Sequence, residues 1–383
     1  MSRPPQIGIV AGEPSGDILG GGMAGLLREK FPGARLAGIG GPAMRAAGVE
    51  ILHPMESIML MGLEGAPRQL LSILRIRRRL KKYFLREKVD LFIGVDVPDF
   101  NLTLENTLRR RGVPTVQYVS PAVWAWRGYR IRKIRRGVSH MLALFPFEAD
   151  YFEARGIAAT FVGHPLAREV SAMADKKTLR AELALPAAST VVALLPGSRA
   201  SEVTQLSRVM ARAAQLLRRE LPAVTFVAPM VSAAMRDCFV RCAGDALAGL
   251  PLRIVDGRSR QALAAADAAL LASGTASLEA LLVGTPMVVT YKATPLSAAL
   301  VRMFSRVRHY AMPNHLLAEP LVPERIQRRA TAGELARALG EVLRDDRYRE
   351  KIRAEFRAVR EQLAAAGIER AAPVLAELLA GRG

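Results

Sequence analysis

Cysteine is nearly absent: 383 residues hold two, Cys238 and Cys242, which leaves no room for a disulfide framework. They stand four apart with no histidine beside them to complete a metal site, so they read as small apolar residues in a reducing compartment. Long apolar runs are also missing, and no stretch approaches the roughly 20 residues that span a bilayer. The N-terminal "MSRPPQIGIVAGEPSGD" offers an apolar run of only about four residues before glycine and acidic groups, too little for a signal peptide. Fixed-period repeats and low-complexity linkers are lacking as well. A cytoplasmic protein without transmembrane segments is expected. Negative charge is scarce too, with 35 Asp and Glu against 55 Lys and Arg, a net charge of +20. Such an excess fits an anionic partner, whether nucleic acid, phosphorylated metabolite or membrane surface, or else reflects base composition alone.

What is present is a folded chain with ample core: half of its residues are apolar and 23% are charged. Its length suggests two domains. Short Val/Ile/Leu runs, "IGIV" (7–10), "LFIGV" (91–95), "TVQYV" (115–119) and "MLALF" (141–145), alternate with longer amphipathic stretches. After "FVGHPLAREV" (161–170) and a polar stretch the cycle restarts with "VVALLPGSR" (191–199), "VTFVAPM" (224–230), "LRIVD" (252–256), "AALLAS" (268–273) and "PMVVTY" (286–291). This βαβ alternation predicts an α/β fold: two similar halves, each a parallel sheet with right-handed crossovers, with a cleft between them. From about Ala332 the chain is expected to be helical, with breaks at Gly367 and Pro373.

The stretch "AGEPSGDILGGG" (11–22) follows the first strand and has the look of a phosphate-cradling loop. Its glycines are wrongly spaced for that. The G-x-G-x-x-G match at 20–25 begins ten residues after the strand, where a helix should be under way, whereas a dinucleotide fingerprint starts at the strand end. Glu13 and Asp17 would repel a phosphate, but carboxylates accept hydrogen bonds from sugar hydroxyls. A plainer role for Asp17 is to cap the following helix.

The second half offers better anion sites. In "LLPGSRASE", Gly197 lets backbone approach closely, Ser198 can donate, and Arg199 presents a forked cation to a diphosphate. In "ASGTASLEALL", Gly274, Thr275, Ala276 and Ser277 fall at a helix N-terminus, with Glu279 one turn in and within reach of a ribose diol. In the first half, "GVDVPDFN" puts Asp96 at a strand's carboxyl end, where open α/β sheets bind ligands; Asp99 suits a helix cap. The D-x-x-D spacing is not the D-x-D that holds a metal on a nucleotide sugar, and no metal ligand set is expected. Two segments concentrate positive charge. "RIRRRLKKYFLREK" (75–88) follows a Met/Leu-rich stretch, as an interfacial membrane contact requires. "WAWRGYRIRKIRRG" sets Arg127 to Arg136 behind Trp124 and Trp126, which suits single-stranded nucleic acid or a solvated helix face.

Taken together and in order, "AGEPSGD", "GVDVPDFN", "YVSPAVWAWR", "FVGHP", "LLPGSR" and "ASGTASLE" resemble the lipid-A-disaccharide synthase family, bacterial glycosyltransferases of the GT-B type. The resemblance runs from about residue 6 to beyond 370. It implies two Rossmann-like domains, 1–170 for the acceptor and membrane contact and 171–345 for the UDP-sugar, followed by C-terminal helices at 346–383 that pack on the first domain or on a partner subunit. It implies transfer of 2,3-diacylglucosamine from UDP to the 6-hydroxyl of 2,3-diacylglucosamine 1-phosphate with inversion, no cofactor, a swapped homodimer and peripheral association with the cytoplasmic face of the inner membrane, and no nucleic acid partner. Asp96 matches the family's proposed catalytic base, and Glu13 and Asn314, in "MPNHLLA", fall at the active site. Without a metal, the departing diphosphate is left to Arg199 and the 274–277 helix end. A nucleotide-sugar 2-epimerase of the same architecture is the nearest alternative reading, and a basic nucleic-acid-binding protein a more distant one.

Overall fold

The structure, a computed structural model, describes residues 3–58, 66–125, 128–293 and 309–381, with the backbone alone for 66–69. Contacts divide the chain into two units: residues 1–165 together with 363–383, and residues 166–362. The boundaries expected from sequence fell at 170 and 345. The helix Asp346–Ala365 therefore lies almost wholly in the second unit, where Tyr348 Oη donates to Leu321 O at 3.0 Å, and only its last turn belongs to the first.

Among the described residues the first unit holds seven strands: β1 (Gln6–Ala11), β2 (Arg35–Gly40), β3 (Glu50–Pro54), β4 (Leu91–Val95), β5 (Thr115–Tyr118), β6 (His140–Ala143) and β7 (Ala159–Phe161). They pair in the order β3-β2-β1-β4-β5-β6-β7, every pair parallel. The second unit holds β8 (Val191–Leu195), β9 (Thr225–Met230), β10 (Leu252–Asp256), β11 (Ala268–Ala272), β12 (Met287–Tyr291) and β13 (Glu324–Ile326), ordered β10-β9-β8-β11-β12-β13 and again parallel. β4 and β8 are buried at every position, as unbroken apolar runs must be when helices cover both faces of a sheet.

Four of the first unit's helices matter here: α1 (Pro14–Lys30), α2 (Pro42–Ala46), α3 (Ala66–Arg86) and α4 (Pro98–Arg109). Along α3, Ile73, Ile76, Leu80 and Phe84 recur at three and four and bury against Phe92, Phe100 and Leu104. Each such side chain is worth about 1.5–3 kcal/mol when taken from water. In the second unit, Val203, Leu206, Met210 and Leu217 of the helix Ala200–Glu220 pack on Leu335, Leu339 and Val342 of the helix Ala332–Arg344.

The opening stretch differs from expectation. Pro14 pre-sets the first helical φ, so α1 begins there and residues 14–22 are helix rather than loop. The G-x-G-x-x-G match at 20–25 lies in mid-helix. Asp17 does not cap its own helix either. It is buried and accepts from Gly41 N (2.7 Å), Ala43 N (2.8 Å) and Met44 N (3.1 Å), holding the start of α2. Of the expected terminal breaks, Gly367 precedes a 3-10 turn, while Pro373 stands in the first turn of the helix Ala372–Ala380.

In each sheet the chain runs outward from a central strand, then returns to that strand's other side. The carboxyl ends of β1 and β4, and those of β8 and β11, therefore send their loops apart and leave a crevice between them.

Candidate active site

The first unit's switch point carries Glu13 and Asp96. Glu13 follows β1 as the exposed N-cap of α1. Asp96 follows β4 and is half-buried. The two strand ends meet closely: a Cβ on Gly12 would lie 2.7 Å from Val97 Cγ2, so glycine is required there.

The turn at Asp96 is strained. Asp96 (φ 52°), Val97 (φ 41°) and Val119 (φ 70°), at the end of the neighbouring β5, all take left-handed backbone. Asp tolerates that region, but a β-branched residue does not, and such positions cost on the order of 1–3 kcal/mol each. Two buried amides hold them in place. Asn101 Nδ2 donates to Asp96 O (2.8 Å), Val10 O (3.3 Å) and Val95 O (3.4 Å). Gln117 Nε2 donates to Asp96 O (3.1 Å), Val119 O (3.1 Å) and Tyr118 O (3.3 Å). Burial raises the Asp96 carboxyl above the usual range, against a smaller lowering by the Val97 N–H, making it a better base than an exposed aspartate.

After β6 of the same sheet lies a group that the sequence reading missed. Glu148 is buried and takes a hydrogen bond from Trp124 Nε1 at 3.2 Å. Burial pushes its carboxyl up to about 7. Trp124 packs edge-on to Phe147 (5.1 Å between centroids), and Phe145 stacks on Phe147 (5.9 Å). The tryptophan is thus engaged in a local aromatic cluster; Trp126 and Arg127 lie outside the described residues. Of the following basic run, Arg130 pairs with Asp99, and Lys133 Nζ donates to Thr103 Oγ1 at 2.7 Å.

The second unit's switch point carries the two expected anion loops. After β8, Gly197 (φ 123°) approaches the helix Ala200–Glu220 so closely that a Cβ would sit 2.4 Å from Glu202 Oε2. That same oxygen accepts from Ser198 N (3.1 Å) and Arg199 N (3.4 Å). The backbone donors expected for a phosphate are therefore occupied by the protein's own carboxylate. Arg199 is exposed, and no carboxylate among the described residues pairs with it. After β11, Gly274 and Thr275 are exposed and Ala276 half-buried at the start of the helix Thr275–Val283.

Ser277 is different: it is fully buried, donates to Gly274 O (2.7 Å) and accepts from Met312 N (3.2 Å), so its hydroxyl binds the protein itself rather than a phosphate. Glu279 accepts from Ser259 Oγ at 2.8 Å. Asn314 is buried and its amide is wholly engaged: Nδ2 donates to Val322 O (2.9 Å) and Glu324 Oε1 (2.8 Å), while Oδ1 accepts from Val322 N (2.9 Å). Glu324 also accepts from Tyr310 N (2.9 Å) and Ala311 N (3.0 Å). Ser273 Oγ donates to Tyr310 O at 2.6 Å, so segment 309–314 is tied directly to the anion loop.

Among the described residues no helix is long and apolar enough to cross a membrane. α3 nonetheless exposes Leu70 (52%), Leu71 (54%) and Leu74 (40%). Arg75, Arg78, Arg79 and Lys82 are exposed on the same helix. Residues 59–65 of the preceding Met/Leu stretch lie outside the described residues.

A family model described as lipid-A-disaccharide synthetase matches residues 7–377. The lipid-A-disaccharide synthase of Methylobacillus flagellatus is 43% identical over 361 residues, covering 94% of this chain and 95% of that protein. Among solved structures, a UDP-GlcNAc 2-epimerase from Neisseria meningitidis bound to UDP-GlcNAc superposes with a TM-score of 0.63 at 11% identity, over 98% of this chain and 100% of that one. A UGT transferase from Siraitia grosvenorii in complex with UDP gives 0.59 at 12% identity, over 98% and 99% of the two chains. These two likenesses establish the fold alone, the paired Rossmann-like sheets of GT-B enzymes.

Proposed function

The chain belongs to the lipid-A-disaccharide synthetase family and is a glycosyltransferase of lipid A disaccharide synthesis; from that premise we propose that it moves 2,3-diacylglucosamine from UDP to the 6-hydroxyl of 2,3-diacylglucosamine 1-phosphate, giving the β-1,6-linked disaccharide 1-phosphate and UDP. The observation that carries the residue assignment is topological. Glu13 and Asp96 flank the switch point of one sheet, and the 197–199 and 274–276 loops flank that of the other, where open α/β sheets take ligands.

An α-linked donor that becomes a β-linked product calls for one in-line displacement. Asp96 removes the proton of the acceptor's 6-hydroxyl as that oxygen bonds to the anomeric carbon, and the carbon–phosphate-oxygen bond breaks with its electron pair leaving on UDP. General-base help of this kind is worth about 10²- to 10⁴-fold. Arg199, with the backbone N–H groups at Thr275 and Ala276 and that of Ser198 once Glu202 is displaced from it, takes up the charge that develops on the diphosphate. Glu279 binds the ribose and Glu13 the sugar side. Asn314 serves by holding the 309–324 segment against the anion loop. The exposed leucines and cations of α3 suit the cytoplasmic face of an inner membrane bearing the acylated substrates, and the terminal helices suit exchange between subunits of a homodimer.

The epimerase alternative is not favoured, because its likeness is one of fold while the family match spans nearly the whole sequence. Incubation with both acylated substrates tests the reading: disaccharide and UDP should appear in equal amounts, and a UDP-linked monosaccharide as the sole product would overturn it.

A further inference from the structure

The turn bearing Asp96 is held by two amides, and both use only their nitrogen side to do so. Their oxygens point elsewhere: Gln117 Oε1 and Asn101 Oδ1 are buried with no partner among the described residues, and so are both carboxyl oxygens of Glu105. Glu105 lies one turn beyond Asn101 on α4, at 0% exposure. These groups converge over Gly94 of β4, where a Cβ would lie 2.6 Å from Glu105 Oε1, 2.9 Å from Gln117 Oε1 and 2.9 Å from Asn101 Cβ. The absence of a side chain at Gly94 is what lets a helix carboxyl and a strand amide face each other inside the sheet's cover.

With Glu105 ionised, the oxygens that meet over Gly94 are acceptors only. Four buried oxygens without a donor is a costly arrangement, since each forgoes its bonds to water. A single proton on Glu105 changes the chemistry. The carboxylic acid becomes a donor, Gln117 Oε1 becomes its acceptor, and the Gln117 nitrogen is thereby fixed toward Asp96 O, Tyr118 O and Val119 O. The elements packed on α4 are α3, β4, β5 and the helix Ile131–Gly137. Of their charged groups, Lys133 of that last helix is the one that acts on Glu105, and its ammonium is spent on Thr103 Oγ1. Burial outweighs it and drives the Glu105 carboxyl well above the ordinary range.

We propose that Glu105 is kept protonated beneath the Asp96 turn and, through Gln117, fixes the left-handed backbone that aims the Asp96 carboxyl, making it a positioning residue for the transfer. The proposal rests on the reading of Asp96 as the base.

Infrared difference spectra of wild type against Glu105→Gln at neutral pH should contain the C=O stretch of a protonated carboxylic acid. Carboxylate bands in its place, as from an ionised Glu105 bridged by a buried water, would overturn the proposal. Glu105→Gln, which keeps a donor and the shape, should hold kcat within about threefold. Glu105→Leu should lose about tenfold or more in kcat, with KM for the UDP-sugar within about twofold, because the aim of the base changes and the nucleotide loops do not. Wild-type kcat in Glu105→Leu, or equal losses in the two variants, would count against positioning. Should Glu105→Leu fail to fold, the infrared band and the Glu105→Gln rate still decide. Asp96→Asn with wild-type turnover would remove the base and its positioning together. An inactive Asp96→Asn beside an undisturbed Glu105→Leu would remove the positioning alone.

Discussion

The carboxyl edges of the two sheets occupy equivalent topological positions and are built on opposite plans. In the first unit the candidate reactive group stands on strained backbone, braced from below by the buried side chains Asn101, Gln117 and Glu105. In the second, the candidate ligand groups are backbone donors and an exposed arginine, with Glu202 occupying the donors in the meantime. One plan spends stability to fix the direction of a single carboxylate. The other keeps two backbone donors on the protein's own Glu202 carboxylate, which a diphosphate bound as proposed would have to displace. The first should therefore respond to buried polar substitutions and pH, the second to surface charge and ionic strength.

The sharpest test of this contrast is Asp96→Asn. It preserves shape and hydrogen bonds at the turn, so folding and UDP affinity should match wild type while turnover falls by about 10²- to 10⁴-fold. An equal loss of UDP affinity would mean that the two plans are not separable.

Next in size is the pH response of the first unit. Glu148 has its folded pKa raised from 4.5 to about 7 by burial. A raised value means that the folded state binds the proton more tightly. The associated stability is fully present below the unfolded pKa and is lost as pH rises through about 7. Denaturant melts at pH 5 and pH 8 should differ on the order of 3 kcal/mol from this group, and Glu148→Gln should flatten that slope. A slope unchanged in Glu148→Gln would place the titration elsewhere.

Arg199→Ala addresses the other unit. Losing a charge-assisted bond to the diphosphate should weaken UDP binding by about 10- to 100-fold, with the salt dependence of binding reduced. Thermal stability should barely move, because Arg199 is exposed. Unchanged affinity in a titration with UDP would put the diphosphate elsewhere in the unit.

The same contrast explains how much was legible in the sequence. Strands buried on both faces announce themselves as apolar runs, and β4 and β11 lie within a residue of where those runs placed them, while β8 starts where expected and ends four residues sooner. β2, interrupted by Gly38, and the short β7 and β13 carry no such run and were missed. The second unit's candidate anion loops stood out because glycine, hydroxyl and arginine directly follow apolar strand runs, which fixes where the loops fall but not what they bind. The first unit's brace was not: Gln117 inside "TVQYV" and Glu105 on the apolar stripe of α4 look like interruptions of a pattern, and their purpose emerges only when Gly94 brings them together. A polar residue in the buried phase of both a strand and the adjoining helix was the available signal. Asp17 and Ser277 misled for a related reason, since a carboxylate or hydroxyl near a helix start does not reveal which backbone it will serve.

The smallest effect is expected at Glu202, and it bears most directly on the idea of an exchangeable anion. Its carboxylate sits where the loop's own N–H groups would otherwise meet a phosphate, at the start of the helix Ala200–Glu220. If nucleotide binding displaces it, Glu202→Gln removes a like charge that the diphosphate must push aside. UDP should then bind about two- to fivefold more tightly at low salt, the size of one charge at a helix terminus. Folding should lose about 0.5–1 kcal/mol, because the capping carboxylate is gone. The two shifts have opposite signs, so a general perturbation of the loop, which would weaken both, is distinguishable from exchange. Weaker UDP binding in Glu202→Gln would mean that the carboxylate stays in place and contributes to the nucleotide site itself.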